Sequence, residues 1–364
     1  MKYFFFLILK KFILYGKLDI EIGNDPVKSI VGQLDGPNIH IQILNLKHLF
    51  LIVRSPELSF GELYMNKELK IKKGNLEDLM KFLMLNYNSW QSTNFGKIRK
   101  YLNDLKNFFS TFNPIKKAKR NAAHHYDLND DLFESFLDKR RQYSCGFFYS
   151  KNESLEDAQI NKVSRLVAKL QINKGNTVLD IGCGWGGLGL SIYNCNPSTR
   201  ITGITLSEKQ HIYFNQLIKK NKLTGKVECL LKDYRELDNE YDRIVSVGML
   251  EHVGHHNFEK FFQFIENHLK PKGVAVIHSI GRYGLPAHTN PWLEKYIFPG
   301  GYLPTFSQMT HAIEKTSLKI TDIEVMRLHY AETLKKWREK FFKNKSFLPK
   351  TYDEKFSRMW EFYL

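Results

Sequence analysis

The stretch VLDIGCGWGG, residues 178–187, decides the fold class of this 364-residue chain. Its apolar start predicts a buried strand that ends at Asp180, and Gly182, Gly184 and Gly186 then predict a tight turn into a helix. In a doubly wound sheet the first turn of this kind is where a nucleotide-like ligand binds, because glycines let the backbone approach the ligand closely. A tight turn that binds no ligand is the alternative reading.

Beyond this turn the chain repeats a pattern of apolar strand, turn and amphipathic helix. Helix-length stretches such as NFEKFFQFIENHLK separate the apolar segments. This alternation predicts an α/β domain in which a parallel sheet is covered by helices on both faces. The predicted strands are TVLDIG (177–182), ITGITL (201–206), KVECLL (226–231), YDRIVSVGML (241–250) and VAVIHSI (274–280).

The same glycines also fit the looser dinucleotide spacing, with Gly187 as the third glycine, so a nicotinamide cofactor has to be weighed. A dinucleotide site normally has an acidic residue at the end of the second strand, where it contacts a ribose. Here the second strand ends in Thr205, Leu206 and Ser207, and Gln210 follows one turn later. The sequence therefore favours another nucleotide-like cofactor.

Polar side chains follow two more of the predicted strands. Glu251 and His252 come directly after YDRIVSVGML, and His278 lies near the end of VAVIHSI. Because adjacent parallel strands end at the same sheet edge, these groups are expected to face one crevice and to form a candidate site. The alternative is that Glu251 caps a turn and that His278 is an ordinary core histidine.

Four strings in this order resemble the cyclopropane-fatty-acid synthase family of S-adenosylmethionine-dependent lipid methyltransferases. The first string alone marks only the broader methyltransferase class, whereas the four together are far more specific. The resemblance is strong over residues 120–364 and extends weakly to FGELYM (60–65). The strings are LDIGCGWGG (179–187), GITLSEKQ (203–210), SVGMLEHVG (246–254) and KYIFPGGYLP (295–304).

The resemblance implies a Rossmann-like class I methyltransferase sheet in residues 113–364. Family members continue beyond the last residues of this sequence with a strand that lies antiparallel beside the fifth, so the last strand is expected to be missing here. Residues 1–112 are expected to form a smaller α+β domain that docks on lipid. In that domain, residues 39–46 and 48–53 are predicted strands, and residues 74–87 a helix capped by Asn75.

The resemblance also implies which residues bind S-adenosylmethionine. Residues from the glycine turn would hold its methionine part, those after the second strand its ribose, and those after the third strand its adenine, with two more flanking the cofactor. The implied residues are Tyr143, Ser144, Asp180, Gly182, Gly184, Gly186, Thr205, Leu206, Ser207, Gln210, Tyr234 and Arg235.

For the reaction, the family implies methyl transfer to an alkene, whose π electrons are the nucleophile, followed by loss of a proton to a bound bicarbonate ion. The residues implied to hold this ion are Cys145, Glu251, His278, the backbone of Ile280, and Tyr330. No metal is expected, and His252, His255 and His256 are expected to be exposed loop histidines. Residues 290–305, which include Trp292, Phe298 and Tyr302, are expected to wall a tunnel for the acyl chain, or else to be a core-packing insertion.

The expected activity is therefore transfer of a methylene group to the double bond of unsaturated phospholipid acyl chains, which gives a cyclopropane ring. Relatives that leave a branched methyl group or methylate an amine are the alternative, and these residues do not separate the outcomes. A binding module that has lost catalysis is a third reading, which Glu251, His278 and Tyr330 together argue against. A homodimer is among the expected assemblies.

The composition bears on partners and compartment. Lysine and arginine outnumber aspartate and glutamate by 54 to 38, a formal charge of +16 that favours an anionic membrane surface unless it serves only solubility. No aromatic-basic motif of the RNA-binding kind occurs, so nucleic acid is not expected.

The four cysteines form no CxxC pair, which predicts reduced thiols in the cytoplasm. The apolar run Tyr3–Leu9 is too short to span a bilayer, which needs about 20 residues, and predicts a helix on a protein or membrane surface, hence peripheral membrane association.

Overall fold

The computed structural model describes residues 2–91 and 130–364, which form two compact units. The first unit combines the N-terminal residues with residues 290–297 and 350–363. The second unit contains the described residues 130–289 and 298–349. The boundary predicted between residues 112 and 113 lies outside the described residues and stays a prediction.

The first unit is built on a mixed four-stranded sheet, formed by β1 (Tyr15–Ile22), β2 (Lys28–Val31), β3 (Leu34–Ile43) and β4 (Leu69–Lys73). Their order is β2-β1-β3-β4, with β1 parallel to β3 and the two outer strands antiparallel to their neighbours. Every second residue of β1 is buried, because successive side chains of a strand point to opposite faces. Leu18, Ile20 and Ile22 thus face the core of this unit.

Helices cover this sheet. They are α1 (Lys2–Phe12), α2 (Leu46–Arg54), α3 (Pro56–Met65) and α4 (Leu76–Gln91). The helix predicted over residues 74–87 is confirmed by α4, which buries Leu76 and Leu79 and is capped where Asn75 Oδ1 accepts from the Asp78 amide at 2.9 Å. In α1, Phe5 contributes to the core. No helix within the described residues has the length and apolar content to cross a bilayer.

The strand predicted over residues 48–53 is wrong, because these residues belong to α2. The side chain of Asn45 caps this helix, since its Oδ1 accepts from the amides of Lys47 and His48 at 3.0 and 3.2 Å. Leu49 and Ile52 are buried, which is the three-residue spacing of a helix face. The intervening apolar residues are exposed, so the uninterrupted apolar run did not indicate a buried strand.

The second unit is built on a parallel five-stranded sheet, and the five predicted strands are confirmed. They are β5 (Thr177–Ile181), β6 (Arg200–Thr205), β7 (Val227–Leu231), β8 (Tyr241–Val247) and β9 (Leu269–His278). Their order is β7-β6-β5-β8-β9, so successive strands are added first on one side of β5 and then on the other. The reversal leaves a crevice at the carboxyl end of β5, which is the usual ligand position in such sheets.

The helices between and after these strands complete the second unit. They are α5 (Asp130–Phe136), α6 (Leu155–Leu170), α7 (Gly187–Cys195), α8 (Glu208–Lys220), α9 (Phe258–His268), α11 (Phe306–Ile313) and α12 (His329–Asn344). Two helices of this part of the sequence, α10 (Pro291–Tyr296) and α13 (Glu354–Tyr363), belong instead to the first unit. Short 3-10 turns cover residues 234–236, 250–252, 255–257 and 345–347.

The strand β9 lies at an edge of the second sheet. Among the residues that the structure describes, β9 pairs only with β8. Ala275 and Ile277 of β9 pack on the core of this unit but are only partly buried. The fold is therefore a Rossmann-like doubly wound sheet, together with a smaller α+β unit.

Candidate active site

The glycine turn lies between β5 and α7, at the reversal point of the sheet. It is tied to β6, since the amides of Gly182 and Cys183 donate to the Ile204 carbonyl oxygen at 3.0 and 2.9 Å. A side chain at Gly184 would meet no atom within 4 Å, so the space above the turn is open. Asp180 at the end of β5 is buried, and within the described residues its Oδ2 has no hydrogen-bond partner. A buried carboxylate oxygen without a partner is a candidate ligand for a cationic group.

A cavity opens above this turn, and eleven of the twelve residues expected to bind the cofactor line it. They are Tyr143, Ser144, Asp180, Gly182, Gly184, Thr205, Leu206, Ser207, Gln210, Tyr234 and Arg235. The twelfth, Gly186, is not among the lining residues: it is the N-cap of α7, where its left-handed φ of 84° turns the chain into the helix. The structure therefore brings together residues that lie up to 92 positions apart, from Tyr143 to Arg235.

Beyond β6 the cavity wall is polar. The Thr205 hydroxyl donates to Gln210 Oε1 at 2.7 Å, and Ser207 caps α8. Beyond β7, the Tyr234 ring packs edge-on against Phe264 at 5.1 Å between centroids, and burial raises the pKa of its phenol to about 12. Arg235 forms an ion pair with Asp233, with Nε and Oδ1 2.7 Å apart, which fixes the guanidinium at the rim.

Glu251 and Ile280 lie beside this cavity and contact each other directly. Glu251 follows β8 in a 3-10 turn, and its Oε1 accepts from the Ile280 amide at 2.6 Å. Its Oε2 is buried without a hydrogen-bond partner in the described parts of the chain. Burial disfavours the charged form and raises the pKa of the Glu251 carboxyl to about 7, although the Ile280 amide opposes this.

The other three residues implied to hold an anion lie on separate elements. Cys145 is buried, and burial raises the pKa of its thiol to about 11, which keeps it protonated at neutral pH. His278 ends β9, its Nδ1 is buried, and desolvation lowers its imidazole pKa to about 4. Tyr330 lies in the first turn of α12. None of the five residues of this set is among those lining the cavity, and Glu251 and Ile280 share a direct hydrogen bond.

Aromatic packing links Tyr330 to the cavity. The rings of Tyr330 and Trp337 meet edge-on with centroids 6.1 Å apart, and Trp337 lies 5.2 Å from the ring of Tyr143. The Gly146 amide, next to Cys145, donates to Thr333 Oγ1 at 2.9 Å on the same helix as Tyr330. The helix α12 therefore connects Cys145, Tyr330 and the cofactor-lining Tyr143.

The histidines after Glu251 are not the exposed loop residues that were expected. His252, His255 and His256 are all half-buried, and His252 lines the cavity. Burial lowers the pKa of both His252 and His255 to about 4. No group of three or more potential metal ligands occurs among the residues described.

The segment 290–305, expected to wall an acyl tunnel, is divided between the two units. Trp292 packs in the core of the first unit, against Phe362 at 4.7 Å between ring centroids, as the core-packing alternative predicted for it. In the second unit, Phe298 stacks on Tyr143 at 6.5 Å. Tyr302 is buried there and its amide donates to the Glu251 carbonyl oxygen at 2.8 Å, which fixes the backbone of the buried carboxylate.

Comparison with known proteins identifies the family. The family model for mycolic acid cyclopropane synthetase matches residues 114–364. The chain belongs to this family. The resemblance drawn from the sequence is thereby confirmed, and the match covers the described second unit together with residues 290–297 and 350–363 of the first unit.

Relatives in the family differ in their products. The chain is 38% identical over 250 residues to the cyclopropane-fatty-acyl-phospholipid synthase of Escherichia coli, an alignment that covers 68% of this chain and 63% of that protein. It is also 38% identical over 261 residues to a tuberculostearic acid methyltransferase of Mycobacterium tuberculosis, covering 68% of this chain and 61% of that one. The chain thus spans less than two thirds of either relative.

A solved structure of the same family supports the fold. The mycolic acid cyclopropane synthase CmaA1, determined in complex with S-adenosylhomocysteine (SAH) and CTAB, superposes with a TM-score of 0.61 at 29% identity. The superposition covers 69% of this chain and 90% of that one. The doubly wound sheet of the second unit is therefore the fold of the family.

Lys162 is a residue of this site that the sequence analysis missed. Its side chain is buried, and its Nζ donates to Gln142 Oε1 at 2.6 Å and to Ser144 Oγ at 3.0 Å, both on cavity-lining residues. The signal was present in the sequence, because Lys162 lies on the stripe of α6 that also carries Ala158, Val163 and Leu166. A lysine on the apolar face of a helix indicates a buried polar partner.

Proposed function

We propose that this protein transfers a methylene group from S-adenosylmethionine to the double bond of unsaturated phospholipid acyl chains, which gives a cyclopropane ring. The observation that carries the proposal is the buried Glu251 carboxyl, held by the Ile280 amide next to a cavity of the methyltransferase type. Glu251 lies between Met249 and His252, which both line that cavity. Family membership adds the chemistry that a buried acid in this position would serve.

The cavity fits S-adenosylmethionine. The unpaired Oδ2 of Asp180 suits the cationic amino group of the methionine part, and the open space above Gly184 leaves room for its backbone. Thr205, Ser207 and Gln210 offer polar groups to ribose hydroxyls in place of the acidic residue of dinucleotide sites. When bound, this cofactor supplies an electrophilic methyl group.

An alkene substrate needs no activated side-chain nucleophile, which agrees with the protonated thiol of Cys145. The protein has to exclude water and to stabilise the positive charge that develops on the acyl chain. The π faces of Tyr143 and Phe298, stacked at 6.5 Å beside the cavity, suit a developing cation. Trp337, packed against Tyr143, holds this wall in place.

The last step requires a group that removes a proton. Glu251, with a pKa raised to about 7, is partly ionised at neutral pH and is able to accept one. In the family-based proposal, a bicarbonate ion held by Cys145, Glu251, His278, Ile280 and Tyr330 would take the proton instead. Protonated Glu251 and the neutral His278 and Cys145 side chains suit an anion, whereas the Ile280 amide already donates to Glu251 and would have to be shared.

The substrate would be reached at the cytoplasmic face of the membrane, as a peripheral protein. The excess of basic residues, +16 overall, supports attraction to anionic lipid. Vesicle co-sedimentation tests this part: binding should rise with anionic lipid content and fall with added salt. Binding that is insensitive to both would contradict the membrane proposal without affecting the chemistry.

The decisive experiment is incubation with labelled S-adenosylmethionine and vesicles of unsaturated phospholipid, followed by mass spectrometry and proton NMR of the acyl chains. A gain of one CH2 with loss of the olefinic protons is expected. Glu251→Gln should lower turnover by about 100-fold or more, the scale of a lost general base, while the dissociation constant of SAH changes little. Loss of cofactor binding in this variant would show that Glu251 has another role.

The second candidate is a methyltransferase that leaves a branched methyl group. The 38% identity to a tuberculostearic acid methyltransferase supports it as strongly as the corresponding identity supports cyclopropanation. The same experiment separates the two candidate activities, because a cyclopropane product gives upfield cyclopropyl proton signals and a branched-methyl product gives none. Methyl transfer to nitrogen, with the double bond intact, would contradict both proposals.

A further inference from the structure

Lys162 is a cation placed where proteins rarely place one. It lies in the middle of α6 on the face that packs against the sheet, and only 2% of its surface is exposed. Removing an ammonium group from water is costly unless hydrogen bonds and opposite charge compensate for it. The partners of this lysine are therefore informative about what the site requires.

Two of the hydrogen bonds of Lys162 go to side chains at the cavity. Gln142 Oε1 and Ser144 Oγ accept from Nζ at 2.6 and 3.0 Å, and Gln159 Nε2 donates to the Ser144 carbonyl oxygen at 2.8 Å. Gln142 also lies tightly against the glycine turn, since a side chain at Gly187 would come within 2.5 Å of its Nε2. Lys162 thus fixes the segment that faces Asp180 across the cavity.

The charged and titratable groups that act on Lys162, or that it acts on, come from three elements around it. They are Asp138 and Cys145 in the loop after α5, Asp180 in β5 and His278 in β9. Burial lowers the pKa of Lys162 to about 8, and the two carboxylates oppose this, so the group is mostly protonated at pH 7. Burial raises the pKa of Asp180 to about 7, and the positive charge of Lys162 opposes this rise.

We infer that Lys162 is a positioning residue, which presents Gln142 and Ser144 to the cofactor and favours the ionised form of the Asp180 carboxyl, the form that binds a cationic ligand group. The inference rests on the proposed cofactor of this cavity. Lys162 does not line the cavity, so it acts on the ligand through these three residues. A lysine with only a packing role would not couple cofactor affinity to pH.

The test is isothermal titration calorimetry with SAH from pH 6 to pH 9, on the wild type and on Lys162→Met. At pH 7 the variant should bind about tenfold more weakly, which corresponds to loss of a hydrogen bond to a charged group. The difference should shrink towards pH 9, because wild-type Lys162 loses its proton near pH 8 and Asp180 of the variant then becomes ionised. Lys169→Met is the matched control: it removes one positive charge from the same helix, where Lys169 pairs with Asp322 and Glu324, and it should bind as the wild type does.

A loss of affinity that is the same at every pH, or no loss at all, would overturn the inference. If Lys162→Met does not fold, Lys162→Gln replaces it, since glutamine keeps a hydrogen-bond donor and lacks the charge. In that variant too, the difference in SAH affinity from the wild type is expected to shrink between pH 7 and pH 9. A difference that stays constant would overturn the inference. Failure of the wild type to bind SAH would instead contradict the proposed cofactor, and with it the inference.

Discussion

Glu251 combines burial with an incomplete set of hydrogen bonds. One oxygen accepts from the Ile280 amide, and the other has no hydrogen-bond partner in the part of the chain that the structure describes. Such a carboxyl is costly to ionise, which is why its pKa is raised from 4.5 to about 7. The raised pKa suits Glu251 to proton transfer at neutral pH, and for the same reason the carboxyl lowers the stability of the fold at neutral pH.

The stability of the protein should depend on pH through this residue. Below pH 4.5 the carboxyl is protonated in both folded and unfolded states, and between pH 4.5 and 7 only the folded state holds the proton. Stability linked to Glu251 is therefore present at low pH and lost as the pH rises through about 7. Glu251→Gln, which does not titrate, should gain on the order of 3 kcal/mol over the wild type between pH 4.5 and pH 8.

Urea unfolding followed by circular dichroism at both pH values measures this gain. Glu259→Gln, at a side chain that is 52% exposed, is the control for removal of one negative charge and should follow the wild type. A Glu251→Gln curve that runs parallel to the wild type across this range would mean that the carboxyl does not titrate with folding.

At this scale the sequence predicted the residues that sit in local motifs. Asp180 lies at the end of an apolar strand and Glu251 follows one, so their place at the sheet edge could be predicted from spacing alone. The apolar face of α6 marks Lys162 as buried, but its role could not be predicted, because it depends on hydrogen bonds to Gln142 and Ser144, which lie 20 and 18 residues away. His252 was expected in an exposed loop because the family uses no metal, whereas the fold places it against the cavity.

Among the elements, the turn from β5 into α7 is the one that the sequence determines most fully. Gly186 has a left-handed φ of 84°, and a Cβ built on it would lie 2.1 Å from Cδ2 of Phe214 in α8. Glycine is needed here both for the backbone conformation and for the close approach of α8. Phe214 is completely buried, so it cannot easily move aside.

Gly186→Ala should destabilise the second unit by about 3 kcal/mol, the sum of the left-handed backbone penalty and the overpacking against Phe214. Gly225→Ala is the matched control, because Gly225 has the same φ sign at 83° and no atom within 4 Å of a built Cβ. It should cost about 1 to 2 kcal/mol, the backbone penalty alone. Equal losses in thermal unfolding would argue that Phe214 yields to the added methyl group.

The helix α2 illustrates where sequence patterns fall short at this scale. Residues 48–53 are all apolar or aromatic, and such a run fits a strand or a buried helix equally well by periodicity. The deciding feature is the cap formed by Asn45, together with packing that buries Leu49 and Ile52 and leaves Phe50 exposed. The cap is a local feature of the sequence, whereas the burial of Leu49 and Ile52 depends on tertiary contacts that a local pattern does not contain.

In the whole molecule, the first unit is assembled from distant parts of the sequence. The helix α13 packs on α3, where Tyr64 Oη donates to Glu361 Oε2 at 2.7 Å and Arg358 Nε donates to the Tyr64 carbonyl oxygen at 2.6 Å. Trp292 of α10 packs so closely on α3 that only glycine fits at position 61. The prediction of two consecutive domains did not place α10 and α13 in the first unit, because their packing on α3 depends on side chains hundreds of residues apart.

Trp360→Ala should therefore destabilise the N-terminal unit, although the residue lies near the other end of the sequence. Trp360 is 1% exposed, and truncation of such a side chain typically costs about 3 to 5 kcal/mol. Phe347→Ala, at a side chain that is 83% exposed, is the control and should have little effect. Hydrogen exchange of β1 and β3 reports on this unit directly, and unchanged protection in Trp360→Ala would contradict the expectation.

Because α13 belongs to the first unit, it also affects the order in which parts of the protein can fold during synthesis. The ribosome releases β1 to β4 first, yet the surface of α3 that contacts Arg358 and Glu361 stays uncovered until residues 354–363 emerge. The parallel sheet of the second unit, complete at residue 278, is available for folding earlier. During translation, the nascent N-terminal segment would thus remain accessible to chaperones for longer than the parallel sheet that follows it.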